Sequence, residues 1–487
     1  MIRTSLSHPL EIAAVETLPG LGRIGVTFCP GKHQASAVTG AWARDLQADV
    51  KAIADWGAAA VVTLVEAHEL EALSVTGLGQ AVAAAHMDWL HLPIPDVSTP
   101  SPAFEAVWEV VAGEGLRDRL RAGFDVVVHC KGGLGRAGMI AARLLVELGV
   151  DADEAVARVR KARPGAIETA AQLRHVKAQG FVPERQPDTS AEAIRDRAVG
   201  SMLGLALGDA LGTTLEFKAR DNYAPLTDIV GGGPFGLKPG QWTDDTAMAL
   251  ALGESLEAKG GLDEQDLLAR FVDWRRNGTY SCTGHCFDIG STTAQALARW
   301  ERTGEAHCGA TDAFSAGNGS LMRLAPAAIR FHRDRPALRD AAALQSKTTH
   351  AAPEAVDACV LYAEMLADAI EGRLRSEVLA CRDGSWAGGV AKVNAGSWRG
   401  KPRPQVNGSG YVVHSLEAAL WSVGRTAAFD RAVIHAANLG QDADTTAAIA
   451  GQLAGALHGR KALPIHWLNT LSWRERLERT ANRLLEV

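Results

Sequence analysis

The chain has 487 residues, 47% of them hydrophobic, with 56 acidic against 50 basic side chains and a formal net charge of -6. That apolar fraction excludes a disordered or fibrous chain, and the length predicts two or three domains at about 100–200 residues each. Mild acidity without a Lys/Arg run excludes a nucleic-acid binder that works through net charge, so any anion must be held by a local pocket.

The opening segment MIRTSLSHPLEIAAVETLPG carries no apolar core behind a basic head, and no stretch reaches about 18 uncharged apolar residues. Neither a signal peptide nor a membrane span is expected. From Arg23 to about Gly180, the apolar runs RIGVTF, GAAAVVTLVE and FDVVVHC are each followed by a helical pattern, which is α/β order. Residues 1–180 are therefore expected to form one α/β domain. The run FVPERQPDTSAE holds two prolines and a polar cluster without periodicity, so residues 181–192 read as a linker. Residues 193–487 are rich in Ala and Leu at helical spacing, as in SMLGLALGDALG and TTAAIAGQLAGALHG, and predict a nearly all-α bundle of about ten helices. Seven cysteines, an odd number with no C-x2-C pair, argue against a disulfide framework and for a reducing cytoplasm.

In the first domain, FDVVVHCKGGLGRAGMIAARLLVELG reads as a buried strand, a glycine turn and a helix that starts near Ala137. Lys131, Gly132, Gly133, Leu134, Gly135 and Arg136 would bring backbone N–H groups, a helix N-terminus and a bidentate guanidinium to one tetrahedral oxyanion. In that field Cys130 is expected to be a thiolate able to attack phosphorus, with Asp96 of HLPIPDVSTPS as the acid for the leaving oxygen. The stretch HCKGGLGR (129–136), the upstream P-I-P-D and the downstream RPGAIET..Q resemble the dual-specificity branch of the Cys-based protein phosphatases. That resemblance covers most of residues 20–180 and implies nucleophile, phosphate clamp and general acid at Cys130, Arg136 and Asp96, with Gln172 where a water-positioning glutamine is often found. Cys29, in TFCPGK, reads as a core or loop thiol.

In the second domain, GDALGTTLEF (208–217), QWTDDTAM (241–248), TGHCFDIGSTT (283–293) and LGQDADTTAA (439–448) put oxygen ligands at the ends of apolar segments. An all-oxygen set selects Mg, Mn or Ca, although D-D-T and D-A-D-T-T are also good helix starts. Cys282, His285 and Cys286 are weak evidence for zinc, lacking a fourth ligand nearby. These motifs, with GNGSLMR and T-H in the same order, resemble the ADP-ribosylglycohydrolases over about residues 195–455.

The resemblance implies a dinuclear Mg2+ centre, or Mn2+, on Thr243, Asp244, Asp245, Asp442, Asp444 and Thr445, with Glu216 able to reach one metal. It further implies cleavage of the glycosidic bond that joins ADP-ribose to a modified acceptor. Asp288 is the expected acid or base, or else a helix cap. Gly317, Asn318 and Gly319 are a candidate cradle for the diphosphate or ribose. Phe235, Gly236, Ser315 and His350 complete the expected substrate contacts, Phe235 by stacking. The chain is thus expected to be a bifunctional hydrolase of ADP-ribosylated and phosphorylated substrates. The alternatives are a glycohydrolase with a phosphate- or ADP-ribose-sensing N-terminal module, or two sites acting in series on one doubly modified molecule.

Overall fold

The computed structural model describes residues 2–37 and 40–486, which divide into two compact units. Unit 1 spans Met1–Arg185 with the short segments Arg399–Arg403 and Gly424–Ala427, and unit 2 holds the rest.

Unit 1 is built on a five-stranded sheet. In spatial order its strands are Ala13–Val15, Ile24–Phe28, Asp125–Cys130, Ala58–Thr63 and Asp88–His91. All neighbours are parallel except the first pair, so helical crossovers must cover both faces and the central strands must be apolar throughout. The strand AAAVVT is buried at every residue, and VVVHC of the central strand likewise. The three runs read from the sequence are strands, joined by Ala13–Val15 and Asp88–His91, whose polar and half-buried residues hide the strand signal. Alternate residues of the strands feed two separate cores, one on each face. Cys130 belongs to one of these cores and Cys29 to the other, although the two thiols follow one another across the strand pair Phe28–Cys130.

Unit 2 is helical from Ala191, where Ser190 caps the first turn, to Leu484. It has more than the ten expected α-helices, because short ones such as Arg375–Val378 and Ile465–Thr470 carry too little periodicity to stand out. The segment Ala191–Leu215, which contains helix Ala191–Gly212, is the one described segment long and apolar enough to cross a membrane, and its most apolar stretch is 94% buried inside the protein. It lies against helix Ala443–His458 at backbone distance. A Cβ added at Gly204 would stand 2.2 Å from the Gly451 carbonyl oxygen, one at Gly451 would stand 2.0 Å from that of Gly204, and one at Gly208 would stand 2.1 Å from that of Ala447. This contact sets Asp209, near the end of the first helix, beside Asp444 at the start of the other.

Candidate active sites

In unit 1 the central strand ends at Cys130, and helix Gly135–Glu147 begins five residues later, two residues before the expected start. The loop between them is turned inside out. Its carbonyls are held from outside: Lys131 by Lys32 Nζ (3.2 Å), Gly133 by Arg163 Nε (3.1 Å) and Leu134 by the Ile167 amide (3.4 Å). The amides of Lys131, Gly132, Gly133 and Leu134 have no backbone acceptor among the described residues, so they are left as donors for an anion. Gly133 makes this possible, with φ at +69° and a position where any Cβ would stand 2.5 Å from the Phe28 nitrogen.

Arg136, 2% exposed, is fixed in place by Glu69 through two bonds (2.6 and 3.0 Å) and by the Ile94 carbonyl (2.9 Å). Asp96 Oδ1 lies 2.9 Å from the same guanidinium on an exposed carboxylate, so the three expected groups do share one neighbourhood. Val97, next to Asp96, has φ at 58°, a strained value for a β-branched residue and of the kind found at functional turns. His129 is buried and bonded to Thr63 Oγ1 (2.7 Å); burial pushes it down to about 3, so it stays neutral and orients the strand end.

Two side chains near this loop add to the sequence reading. Gln172 closes a capping box with Thr169: its amide oxygen accepts from the Glu168 nitrogen (3.0 Å) and its amide nitrogen donates to the Ser98 carbonyl (3.3 Å). Lys32 was not anticipated. It is a buried ammonium over the Phe28 and Trp42 rings (4.7 and 4.4 Å), and burial pushes it down to about 8.

In unit 2 the four motifs converge on a cavity of about 710 Å³, lined by Glu216, Asp244, Asp288, Asp442, Asp444 and Thr445 on one part of its wall and by Gly317, Asn318, Gly319 and His350 on another. Two groups of carboxylate oxygens are close enough to share a cation: Asp209, Asp245 and Asp444, and Glu216, Asp442 and Asp444. Asp245 Oδ1 and Asp444 Oδ2 are buried with no hydrogen-bond partner, which a fold tolerates when a cation completes them.

Burial, and then the neighbouring carboxylates, push these acids upward. Asp444 rises to about 7 and Asp288 to about 9, while Asp244, Asp245 and Glu216 move far above the usual carboxylate range. The donor set is all oxygen and repels itself, so it fits hard divalent cations. Thr243 and Thr445 are within reach, both 3.3 Å from Asp245 Oδ2 through their hydroxyls.

Asp209 is the residue missed here. It accepts from the nitrogen and hydroxyl of Thr243 (2.8 and 2.9 Å) and of Thr246 (3.0 and 2.6 Å), binding the start of helix Asp244–Lys259 to the glycine-packed helix. A lone Asp inside LGLALGDALG was its signal. Glu216 plays the same part for helix Ala443–His458, accepting from the Ala443 nitrogen (2.7 Å).

The glycine cradle differs from expectation. The Gly317 amide donates to the Ser315 carbonyl (2.8 Å), and the Asn318 side chain donates to Asp442 Oδ2 (2.6 Å) and Ser415 Oγ (2.8 Å), so both are engaged inside the protein. Gly319 lets His350 pack beneath it, a Cβ there standing 2.7 Å from the imidazole. Burial pushes this imidazole down to about 3. Phe235, Gly236 and Ser315 lie outside the cavity wall, where Ser315 Oγ donates to the Asp312 carbonyl (2.7 Å). Asp288 does not cap helix Ser291–Thr303, whose cap is Gly290. Cys282 Sγ sits against the Trp242 backbone, and burial pushes it up to about 12.

The comparisons with known proteins agree with this division. The profile of the ADP-ribosylglycohydrolases matches residues 190–487, and that of the Swiss Army Knife protein DSP-PTPase phosphatase domain matches residues 36–189. The ADP-ribosylarginine hydrolase Tri1 of Pseudomonas putida (strain GB-1) is 45% identical over 63% of this chain and 82% of its own. The ADP-ribosyl-[dinitrogen reductase] glycohydrolase of Rhodospirillum rubrum is 34% identical over 61% of this chain and 96% of its own. A solved ADP-ribosylglycohydrolase-related protein complex matches with a TM-score of 0.55 and 37% identity, over 61% of this chain and 99% of that one. The chain is a hydrolase that belongs to the ADP-ribosylglycohydrolase family and carries a dual-specificity-type phosphatase domain ahead of it.

Proposed function

We propose that the protein removes ADP-ribose from modified arginine side chains in a divalent-metal-dependent reaction, and that its N-terminal unit hydrolyses phosphomonoesters. The arginine linkage is supported by the name of the 45% identical relative. The observation that carries the first activity is the pair of carboxylate groups sharing Asp444, with two orphaned buried oxygens, on the wall of a cavity roomy enough for a nucleotide.

Thr243, Asp244, Asp245, Asp442, Asp444, Thr445 and Glu216 would hold two Mg2+ or Mn2+ ions, which supply positive charge for the ribose hydroxyls and for the attacking water. Asn318 orients Asp442, and Asp209 orients Thr243. Asp288, on the cavity wall with Asp444, would give a proton to the departing acceptor nitrogen.

In unit 1, Cys130 attacks phosphorus and the P–O bond to the leaving group breaks as Asp96 protonates that oxygen. Arg136 and the loop amides hold the other oxygens, and water then hydrolyses the phosphocysteine. Cys130 and Asp96 beside the Arg136 guanidinium support catalysis rather than mere sensing, since a binder needs no nucleophile. The seven free thiols support a reducing, cytoplasmic setting. Release of free ADP-ribose from an arginine-ADP-ribosylated protein is expected with Mg2+ and to be lost with EDTA. Equal release in both conditions would sink the metal-dependent reading.

A further inference from the structure

On the cavity wall the residue after Glu216 is Phe217, 70% exposed and with φ at 60°. An aromatic ring left in solvent and a bulky residue in the left-handed region are each unfavourable, and the strain alone is worth about 1–3 kcal/mol. The fold nevertheless fixes both. Phe217 donates its amide to the Gln441 carbonyl (2.7 Å), while Gln441, itself at φ 64°, donates to the Lys218 carbonyl (2.7 Å). The ring is braced edge-on by Phe235 (6.3 Å between centroids, 73° between planes), and Phe235 is braced by Phe287 (5.2 Å, 56°). Phe287 precedes Asp288, as Phe217 follows Glu216, so a run of three aromatic rings links the neighbours of the two carboxylates, with Phe217 on the cavity wall.

An exposed aromatic face is the chemistry that takes a planar, delocalised cation. Adenine also stacks on such a face, but in ADP-ribose it is separated from the scissile bond by two phosphates and a second ribose. Phe217 lies one residue from Glu216, whose oxygens group with those of Asp442 and Asp444. We propose that Phe217, braced by Phe235 and Phe287, is the acceptor subsite, and that its ring stacks on the guanidinium of the arginine that carries ADP-ribose. The inference rests on the glycohydrolase reading and adds the residues that choose the acceptor. It also reassigns Phe235 from stacking on the nucleotide to supporting Phe217.

The test uses the full-length, Mg2+-loaded protein as wild type, Phe217→Leu and Phe217→Tyr, with arginine-linked and serine-linked ADP-ribosyl peptides, and with ADP-ribose itself as a binding probe. Phe217→Leu should raise KM for the arginine-linked peptide about tenfold, with a smaller change in kcat. It should leave ADP-ribose affinity within twofold and erase an equal part of the preference for arginine over serine; Phe217→Tyr should restore the preference. Equal losses on both peptides, a matching loss of ADP-ribose affinity, or no change at all would overturn the inference. If the wild type cleaves neither peptide, the glycohydrolase reading fails by itself. The subsite is then judged from binding alone, and equal affinity of wild type and Phe217→Leu for the arginine-linked peptide overturns it.

Discussion

Asp245 and Asp444 each keep one buried oxygen without a partner, and their neighbours are other carboxylates. In the metal-free protein these acids therefore hold protons that the unfolded chain gives up near pH 4. Each contributes stability that is present below the unfolded value and is lost as pH rises through the folded one: about 6 for Asp209, about 7 for Asp444 and about 9 for Asp288. Unit 2 should thus melt at falling temperature from pH 5 to 9 in EDTA. The gain on adding Mg2+ should grow over the same range, because the ligands must be deprotonated to bind. Asp245→Asn should leave the metal-free Tm nearly unchanged at pH 5, where the carboxyl it replaces is neutral, and should abolish most of the Mg2+-induced rise. Thermal melts across pH with and without Mg2+ measure both, and a metal-free Tm that climbs toward pH 9 would contradict the account.

At the scale of elements, two contacts hold the chemistry in register. In unit 2 the close approach of helix Ala191–Gly212 to helix Ala443–His458 lets Asp209 and Asp444 share one oxygen cluster. Gly208→Leu would drive a side chain into the Ala447 carbonyl, 2.1 Å from any Cβ. It should destabilise the unit by about 3 kcal/mol, the upper end for overpacking, and weaken Mg2+ binding as well, since Ala447 lies one turn from Asp444. Denaturant unfolding and titration calorimetry would separate the two effects, and unchanged Mg2+ affinity would show that the helix pair does not set the site. In unit 1 the corresponding contact is between the phosphate loop and the strand Ile24–Phe28, closed by Gly133.

For the whole molecule, each unit has its own buried apolar residues and its own candidate reactive groups. Cys130→Ser should therefore remove hydrolysis of p-nitrophenyl phosphate while leaving ADP-ribose release within about twofold, and Asp444→Asn should do the reverse, since the two sites share no side chain. Loss of both activities from either single change would show that the sites work as one.

Much of this architecture is legible in the chain. HCKGGLGR joins the proposed nucleophile, cradle and clamp within eight consecutive residues, so local strand–turn–helix geometry suffices to assemble them. The D-D-T and D-A-D-T-T motifs are likewise visible, each ligand set being contiguous at a helix start. Long-range pairing is not visible in this way. Glu69 reaches Arg136 across 67 positions, Asp209 reaches Thr243 across 34, and Phe235 meets Phe217 and Phe287 only after loops bring them together. Nor could motif spacing show that the Asn318 and Gln172 amides are spent inside the protein, because a donor's partner depends on which elements pack over it. The sequence alone determined the chemistry carried by short contiguous segments. Only the tertiary structure decided which distant side chains orient that chemistry, since burial and partner choice are properties of packed elements and not of neighbours along the chain.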